Sequence, residues 1–475
     1  MPLFSRRSFL SGLSAAGAAS LLPKQSCAGE TQKILRATPS TAQLTPEGYP
    51  NTNVWAFSET SVGTVPGPEI RVKAGERVQR QLLNELPQPT AVHWHGIRID
   101  NAMDGAAPLT QAPVPTGGTF DYDFVCPDPG TYWYHSHNQS LEQVARGLAG
   151  PLIVEDIEPW LGLPGAATRE LTLVLDDWLL DEGGSIVTDR WDDLHAAAHA
   201  GRMGNTGTVN GLSYPEFSLR PQERVRLRMI NVATDRIMPI RFPGLSPTLI
   251  ALDGHPVAPR EVETVELAPA QRADIVVDAP IPASAKYGLL LDTGRGNQVE
   301  LATFQIAGEP LPANDEPVRA LPSWTTLPAP DLSSAQDEPL VMEGGAMRGV
   351  AEAIYHGEKM GFRELTSQGM AWAFNGVAHG MDEPMFEAKL GRSVRMEISN
   401  RTAFPHGIHI HGHHFRVLSR NGISHPFQDV RDTVLINADE TVDVAFVADN
   451  PGKWMIHCHM LSHQASGMMG WFNVV

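Results

Sequence analysis

An all-β chain of three consecutive Greek-key β-sandwich domains is the fold this sequence predicts, on three observations. Short runs such as VQRQLLNEL, TFDYDFV, RVRLRMINV, ADIVVDA and SVRMEISN alternate apolar and polar residues, the period of a strand with one buried face. The 43 glycines and 38 prolines supply the turns between them. One pattern also recurs, as GERVQRQLLN from Gly75, QERVRLRMIN from Gln222 and GRSVRMEISN from Gly391, each a turn, an alternating strand and a terminal Asn. The length of 475 residues accommodates about three domains of ordinary size.

In chain order, residues 1–28 are expected to be a twin-arginine signal peptide. Ser5-Arg6-Arg7-Ser8-Phe9-Leu10 precedes a mildly apolar stretch, and Ser26-Cys27-Ala28 offers a small-residue cleavage site. Its removal takes away Arg6, Arg7 and Lys24 and no acidic residue, so the formal charge moves from -18 to -21. Such a charge argues against nucleic acid as a partner and favours cations. No later stretch is long and apolar enough to span a bilayer. The first sandwich is expected over 29–160, the second over 161–310, a Pro-rich linker over 311–340 and the third over 341–475. In the second, the acidic and then small-residue segment 181–207 either overhangs a site or is an excursion between strands. It holds DLHAAAHAG, the one helix candidate. The three cysteines, Cys27, Cys126 and Cys458, do not make a disulfide framework.

The chemistry lies in four histidine clusters: His93-Trp94-His95, His135-Ser136-His137, His406-Gly407-Ile408-His409-Ile410-His411, and the tail HCHMLSHQASGM from His457 to Met468. Residues i and i+2 of a strand point to one side. Each of His93/His95, His135/His137, His409/His411 and His457/His459 therefore presents two imidazoles together, and eight of these at a domain interface suit a cluster of several ions. Cys458 points the opposite way, towards His463 and Met468. With His406 it completes the nitrogen–thiolate–thioether set of a mononuclear copper electron-transfer site. Zinc would accept the first three of these ligands. The soft set beside an all-imidazole cluster favours copper. Cys458 is bonded through the chain to His457 and His459, a short path from the mononuclear site to the cluster. A cluster fed one electron at a time suits a four-electron acceptor such as dioxygen.

With these motifs, GTYW before YHSH and GLAG-PLIV after it, the chain resembles the multicopper oxidases of the three-domain, laccase-like bacterial type. The resemblance covers nearly the whole mature chain, the middle domain loosely. It implies three cupredoxin domains and four copper ions. The type 1 copper would take His406, Cys458, His463 and Met468, and the type 2 copper His93 and His409. The type 3 pair would share His95, His135, His137, His411, His457 and His459. Cys458 and His463 would carry electrons in. Asp104, nine residues after His95, would assist proton delivery to the cluster, where a plain loop Asp is the alternative and Asp100 a weaker candidate. The acid that often follows the type 1 histidine in copper-oxidising relatives is Gln464 here, so the relay is shifted or slowed.

The expected reaction is one-electron oxidation of small donors, phenols or aromatic amines, coupled to reduction of O2 to water. The alternative is a periplasmic metallo-oxidase acting on Cu(I) or Mn(II). Met342, Met347, Met360 and Met370, with His356, are a sparse soft-ligand patch or core filler. The residues before His406, NRTAFP, lack the Asp and Met of similar cuprous oxidases. Trp94, Trp133 and Trp454 are expected to pack, and His413 and His414 to be strand or supporting residues. A monomer is expected, because three domains already enclose the cluster.

Overall fold

The computed structural model describes residues 33–475 except 157, 282, 283 and 324–326. The expected signal peptide lies outside the described residues. Among the described residues six of the seven sheets fall into three consecutive pairs, and a two-stranded sheet of Glu352–Tyr355 and Glu358–Gly361 stands apart. Two four-stranded sheets are built from strands between Lys33 and Glu155, six- and five-stranded sheets from strands between Arg169 and Ile306, and eight- and five-stranded sheets from strands between Gln336 and Val474. Sequence-distant neighbours, such as Lys33–Ala42 pairing in parallel with Arg77–Asn84, give the Greek-key order.

The recurring strand shows how one pattern serves two environments. Arg77–Asn84 alternates exposed and buried residues, as a strand with one wet face should. Its counterpart Arg224–Asn231 is buried at every position. Its arginine face is covered instead of wet: within the same sheet Arg226 pairs with Asp274 at 2.5 Å and Arg228 donates to Glu170 at 2.8 Å, and Arg228 also donates to Thr131 Oγ1 of the first sandwich at 2.9 Å. Buried guanidinium groups are tolerated only when paired in this way. The apolar cores of the first and third sandwiches run into one another as a single cluster, whereas the second has its own core. Residues before Leu321 pack on the second sandwich, where the Trp160 indole donates to Ala320 O at 3.2 Å.

DLHAAAHAG contributes a helix only over Leu194–Ala197. Three further short helices, Ser140–Ala145, Phe362–Ser367 and Leu461–Ala465, correct the expectation of one helix. Two of them directly follow His137 and His459, and Leu141, Val144 and Leu461 pack together where those helices meet. Runs of five or six residues are too brief for helical periodicity to register. No helix among the described residues is long and apolar enough to cross a membrane.

Candidate metal centre

The strands place the paired histidines as their alternation requires. Val92–His95 lies antiparallel to Gly130–Ser136 with His93 opposite His135. His406–Ile410 lies antiparallel to Gly452–Cys458 with His409 opposite His457. The two strand pairs face each other across the junction of the first and third sandwiches. His93 stacks on His411 at 3.9 Å between centroids, and His95 on His409 at 3.8 Å.

Ligand-capable atoms converge in three histidine groups: His93, His95 and His409; His95, His135 and His459; and His137, His411 and His457. His411 Nε2 is 3.1 Å from His457 Nε2, and His459 Nε2 is 3.4 Å from His135 Nε2. All eight rings are buried. His93 Nε2, His95 Nδ1, both nitrogens of His137, His409 Nε2 and His459 Nδ1 have no hydrogen-bond partner. Buried polar atoms normally find one; a shared metal cluster accounts for one nitrogen per ring, which covers four of these six: His93 Nε2, His95 Nδ1, His409 Nε2 and one nitrogen of His137. The opposite ring nitrogens are tied: His93 Nδ1 to Asp104 O at 2.8 Å, His409 Nδ1 to Asp432 O at 2.9 Å, His457 Nδ1 to Cys458 O at 2.9 Å. Donation from Nδ1 leaves the Nε2 lone pair turned inward. Burial, and then the neighbouring rings (for His95 the Arg272 charge ahead of them), hold His95, His135, His137, His409, His411 and His459 well below the ordinary histidine pKa, so they stay neutral and able to bind metal.

On the other face of the same strands, Cys458 Sγ lies 3.6 Å from His406 Nδ1 and 3.7 Å from His463 Nδ1. Here the tautomers are reversed. His406 Nε2 is tied to Thr402 Oγ1 and His463 Nε2 to His199 O, both at 2.8 Å, which frees the Nδ1 atoms facing the sulfur. Met468 is buried beside them, its amide on His463 O and its carbonyl on the Cys458 amide, each at 3.0 Å. Burial pushes the Cys458 thiol far above its usual range, so a thiolate there requires a cation beside it.

Asp104 is fully buried, with Oδ2 3.0 Å from His411 Nδ1 and Oδ1 3.3 Å from His93 Nδ1. Asp100 instead caps the turn Asn101–Met103. Gln464 is buried on a cavity of about 430 Å³ that is also lined by His137, Glu142 and His379. The methionines do not form one patch. Met342 sits in the third sandwich's core, Met360 and Met370 share a separate small cluster, and Met347 is 74% exposed. Exposed His356 pairs with Asp382 at 3.1 Å. Trp94, Trp133 and Trp454 are packed in cores, and Trp133 stacks on His135 at 4.2 Å. His413 packs on Phe446, Trp454 and Phe472, while His414 bridges Gly96 O and His255 across the sandwiches.

Two acidic residues escaped the sequence reading. Asp432 accepts from His95 Nε2 at 3.2 Å and binds Arg272 through both oxygens, joining all three sandwiches at the cluster. Burial raises the Asp432 pKa, but the Arg272 charge and hydrogen bonds outweigh it and hold the carboxyl well below the usual carboxylate range. Asp235, in the second sandwich, accepts from Ser462 N, Ser462 Oγ and Arg202 N at 3.0, 2.9 and 3.1 Å, anchoring the helix that carries His463. Neither lies in a motif; a charged residue beside an apolar strand was the only signal.

Burial pushes Asp235 up to about 6 against hydrogen bonds that lower it. A folded pKa above the unfolded one stabilises fully below the unfolded value of 3.8 and loses that contribution as pH rises through about 6. Denaturant midpoints of the wild type at pH 4.5 and 7 are therefore expected to contain a falling component that Asp235→Asn lacks, on the order of 2–3 kcal/mol. Equal pH dependence in the two proteins would contradict this.

Three multicopper oxidase family models match the chain, over residues 39–159, 169–307 and 358–475. The multicopper oxidase MmcO of Mycobacterium tuberculosis is 31% identical, the alignment covering 98% of this chain and 95% of that protein. Among solved structures, the multi-copper oxidase of Pseudomonas thermotolerans is 32% identical with a TM-score of 0.78, over 93% of this chain and 98% of that one. Lac15 from a marine microbial metagenome is 37% identical with a TM-score of 0.74, over 93% of this chain and 100% of that one. The folds and the buried histidine clusters lead to one conclusion: this chain belongs to the multicopper oxidase family, and is a copper-binding, oxygen-dependent oxidoreductase made of three cupredoxin-like sandwiches.

Proposed function

We propose that the protein holds four copper ions and couples one-electron oxidation of small donors, phenols and aromatic amines, to the four-electron reduction of O2 to water. The observation that carries this reading is the set of buried, unpartnered imidazole nitrogens joined through His457-Cys458-His459 to a second, sulfur-containing group. The type 1 copper is assigned to His406, Cys458, His463 and Met468, and the type 2 copper to His93 and His409. One type 3 copper is assigned to His95, His135 and His459, the other to His137, His411 and His457. The bound copper supplies the one-electron steps and the reduction of O2.

The remaining chemistry belongs to the chain. Asp104 orients His411 and His93 and is placed to hold a proton at Oδ1, the oxygen without a hydrogen-bond partner. Asp432 orients His95. The cavity reaching His137 gives O2 and water a path, with Gln464 replacing an acid on its wall. The units are proposed as 29–160, 161–310 and 341–475 joined by 311–340, exported folded to the periplasm by a twin-arginine leader over 1–28, and active as a monomer.

Oxidation of Cu(I) or Mn(II) is the second reading. It is favoured by the burial of His463 under the carbonyl of His199, which keeps bulky donors off that imidazole. The test is oxygen uptake by the copper-loaded enzyme with 2,6-dimethoxyphenol, an aromatic amine, Cu(I) and Mn(II), compared as kcat/KM. Uptake with the organic donors is expected. Four bound coppers without uptake from any donor would make the protein a copper store rather than an oxidase.

A further inference from the structure

His463 lies under the carbonyl of His199, so a bulky organic donor needs another approach to the sulfur-containing site. The third sandwich offers one on the side of Met468. A cavity of about 360 Å³, in the size range of small-molecule sites, is walled by Phe374, Val377, Pro384, Met385 and Met469. Met469 is bonded through the chain to Met468. Two residues before Phe374, the ring of Trp372 packs on His406 at 5.0 Å and on His463 at 4.4 Å between centroids.

Two tight turns shape this cavity. His356 and Gly357 join the strands Glu352–Tyr355 and Glu358–Gly361, with φ of 47° and 75°. Asn375 and Gly376, with φ of 48° and 74°, reverse the chain between Phe374 and Val377. Positive φ at both positions of a two-residue turn is the form that suits Asn-Gly. A histidine there is uncommon, and His356 lines the cavity. Ile354 N donates to Gly376 O at 2.8 Å and Ala378 N to Ile354 O at 2.9 Å, which locks the two turns together. His379 N on Gly467 O at 2.8 Å and Gly380 N on Met469 O at 3.0 Å tie the same segment to the chain around Met468.

The polar side of the cavity is a histidine–carboxylate pair. His356 Nδ1 donates to Asp382 at 3.1 Å, which leaves the Nε2 lone pair to accept a proton. Glu383 also lines the wall, and His379 stands nearby with its ring centroid 6.0 Å from that of His356. Burial, and then the His356 ring, lower the His379 pKa, so the exposed His356 is the better proton acceptor.

We propose that this cavity binds a phenolic donor, with His356 as the base that takes its hydroxyl proton and Asp382 as the residue that orients and balances the imidazole. This rests on the reading of His406, Cys458, His463 and Met468 as the electron-accepting copper site. An aromatic ring matches the Phe374 and methionine walls, and its hydroxyl matches the histidine–carboxylate pair. A metal ion would leave the apolar walls unfilled. The donor loses one proton and one electron and leaves as a phenoxyl radical. Its O–H bond breaks, the proton goes to His356 Nε2, and the electron goes to the type 1 copper along the peptide bond joining Met469 to Met468. His356 then returns the proton to solvent. Four such donors supply the electrons that, with four protons, reduce one O2 to two waters.

The test uses the copper-loaded enzyme as wild type, His356→Asn and Val377→Trp, with the blue absorption of the Cys458 site as the control for folding and loading. The first variant keeps a residue that suits the turn but removes the base; the second fills the cavity. The binding probe is 4-nitrophenol, which is too electron-poor to be a good donor and whose colour reports loss of its proton. At a pH where the free probe is protonated, the wild type is expected to bind one equivalent and shift it towards the phenolate. His356→Asn is expected to bind it without that shift, and Val377→Trp not to bind it. The ratio of kcat/KM for 2,6-dimethoxyphenol to that for ferrocyanide, a donor with no proton to lose, is expected to fall about tenfold or more in both variants. An unchanged ratio, or a probe bound as the phenolate by the variants as by the wild type, overturns the site while leaving the oxidase reading intact. No oxygen uptake by the wild type with either donor overturns the oxidase reading, and the proposal with it.

Discussion

Cys458→Ser is expected to abolish the blue absorption and lower oxygen consumption about a thousandfold or more, a loss of roughly 4 kcal/mol of transition-state stabilisation. The hydroxyl occupies the same place between His406 and His463 but cannot supply the soft thiolate that a copper electron-transfer site requires. It also removes the sulfur that would join the metal to the chain path leading to His457 and His459. The eight cluster histidines are untouched, so copper content is expected to fall by about one ion per chain while the circular dichroism is preserved. Absorption, copper analysis and oxygen uptake on one preparation decide it. Sustained turnover without the blue absorption would disprove the path through Cys458.

Arg272→Met is expected to destabilise the chain by about 3–5 kcal/mol, the usual cost of removing one partner from a buried ion pair. Arg272 and Asp432 are both essentially inaccessible, and Arg272 also donates to Thr131 O and Ala270 O. Without the guanidinium, Asp432 is a buried carboxylate facing His95 with no cation to balance it. It then takes up a proton or pulls away, and the three sandwiches lose their shared tie at the cluster. Denaturant unfolding measures the first effect, and copper retained after dialysis measures the second. Unchanged stability with full copper content would show that the pair is not that tie.

Much of the site was legible before any coordinates because strand geometry is local. A period of two puts His457 with His459 and turns Cys458 the other way; the same parity puts His409 with His411 and turns His406 the other way. One register, Ile408 opposite Cys458, then delivers two sites on two faces of one strand pair. The all-β class followed from the same alternation, and the twelve proposed ligands needed only the motifs. The helices after His137 and His459 were too short to leave a periodic trace. The arginine face of Arg224–Asn231 read as solvent-facing because alternation says which residues share a side, not what that side meets.

The chemistry of each cluster and the facing of its side chains follow from local residue order. Domain docking fixes which rings meet, that Arg272 and Asp432 tie the sandwiches together at His95, that Asp235 anchors the His463 helix, and that Leu194–Ala197 and His199 cover His463 while the methionines scatter into separate environments. The physical reason is range. A side chain's direction is set by its own backbone, within two residues; its partner is set by how whole sandwiches dock, bringing together groups such as His95 and Asp432 that lie 337 positions apart.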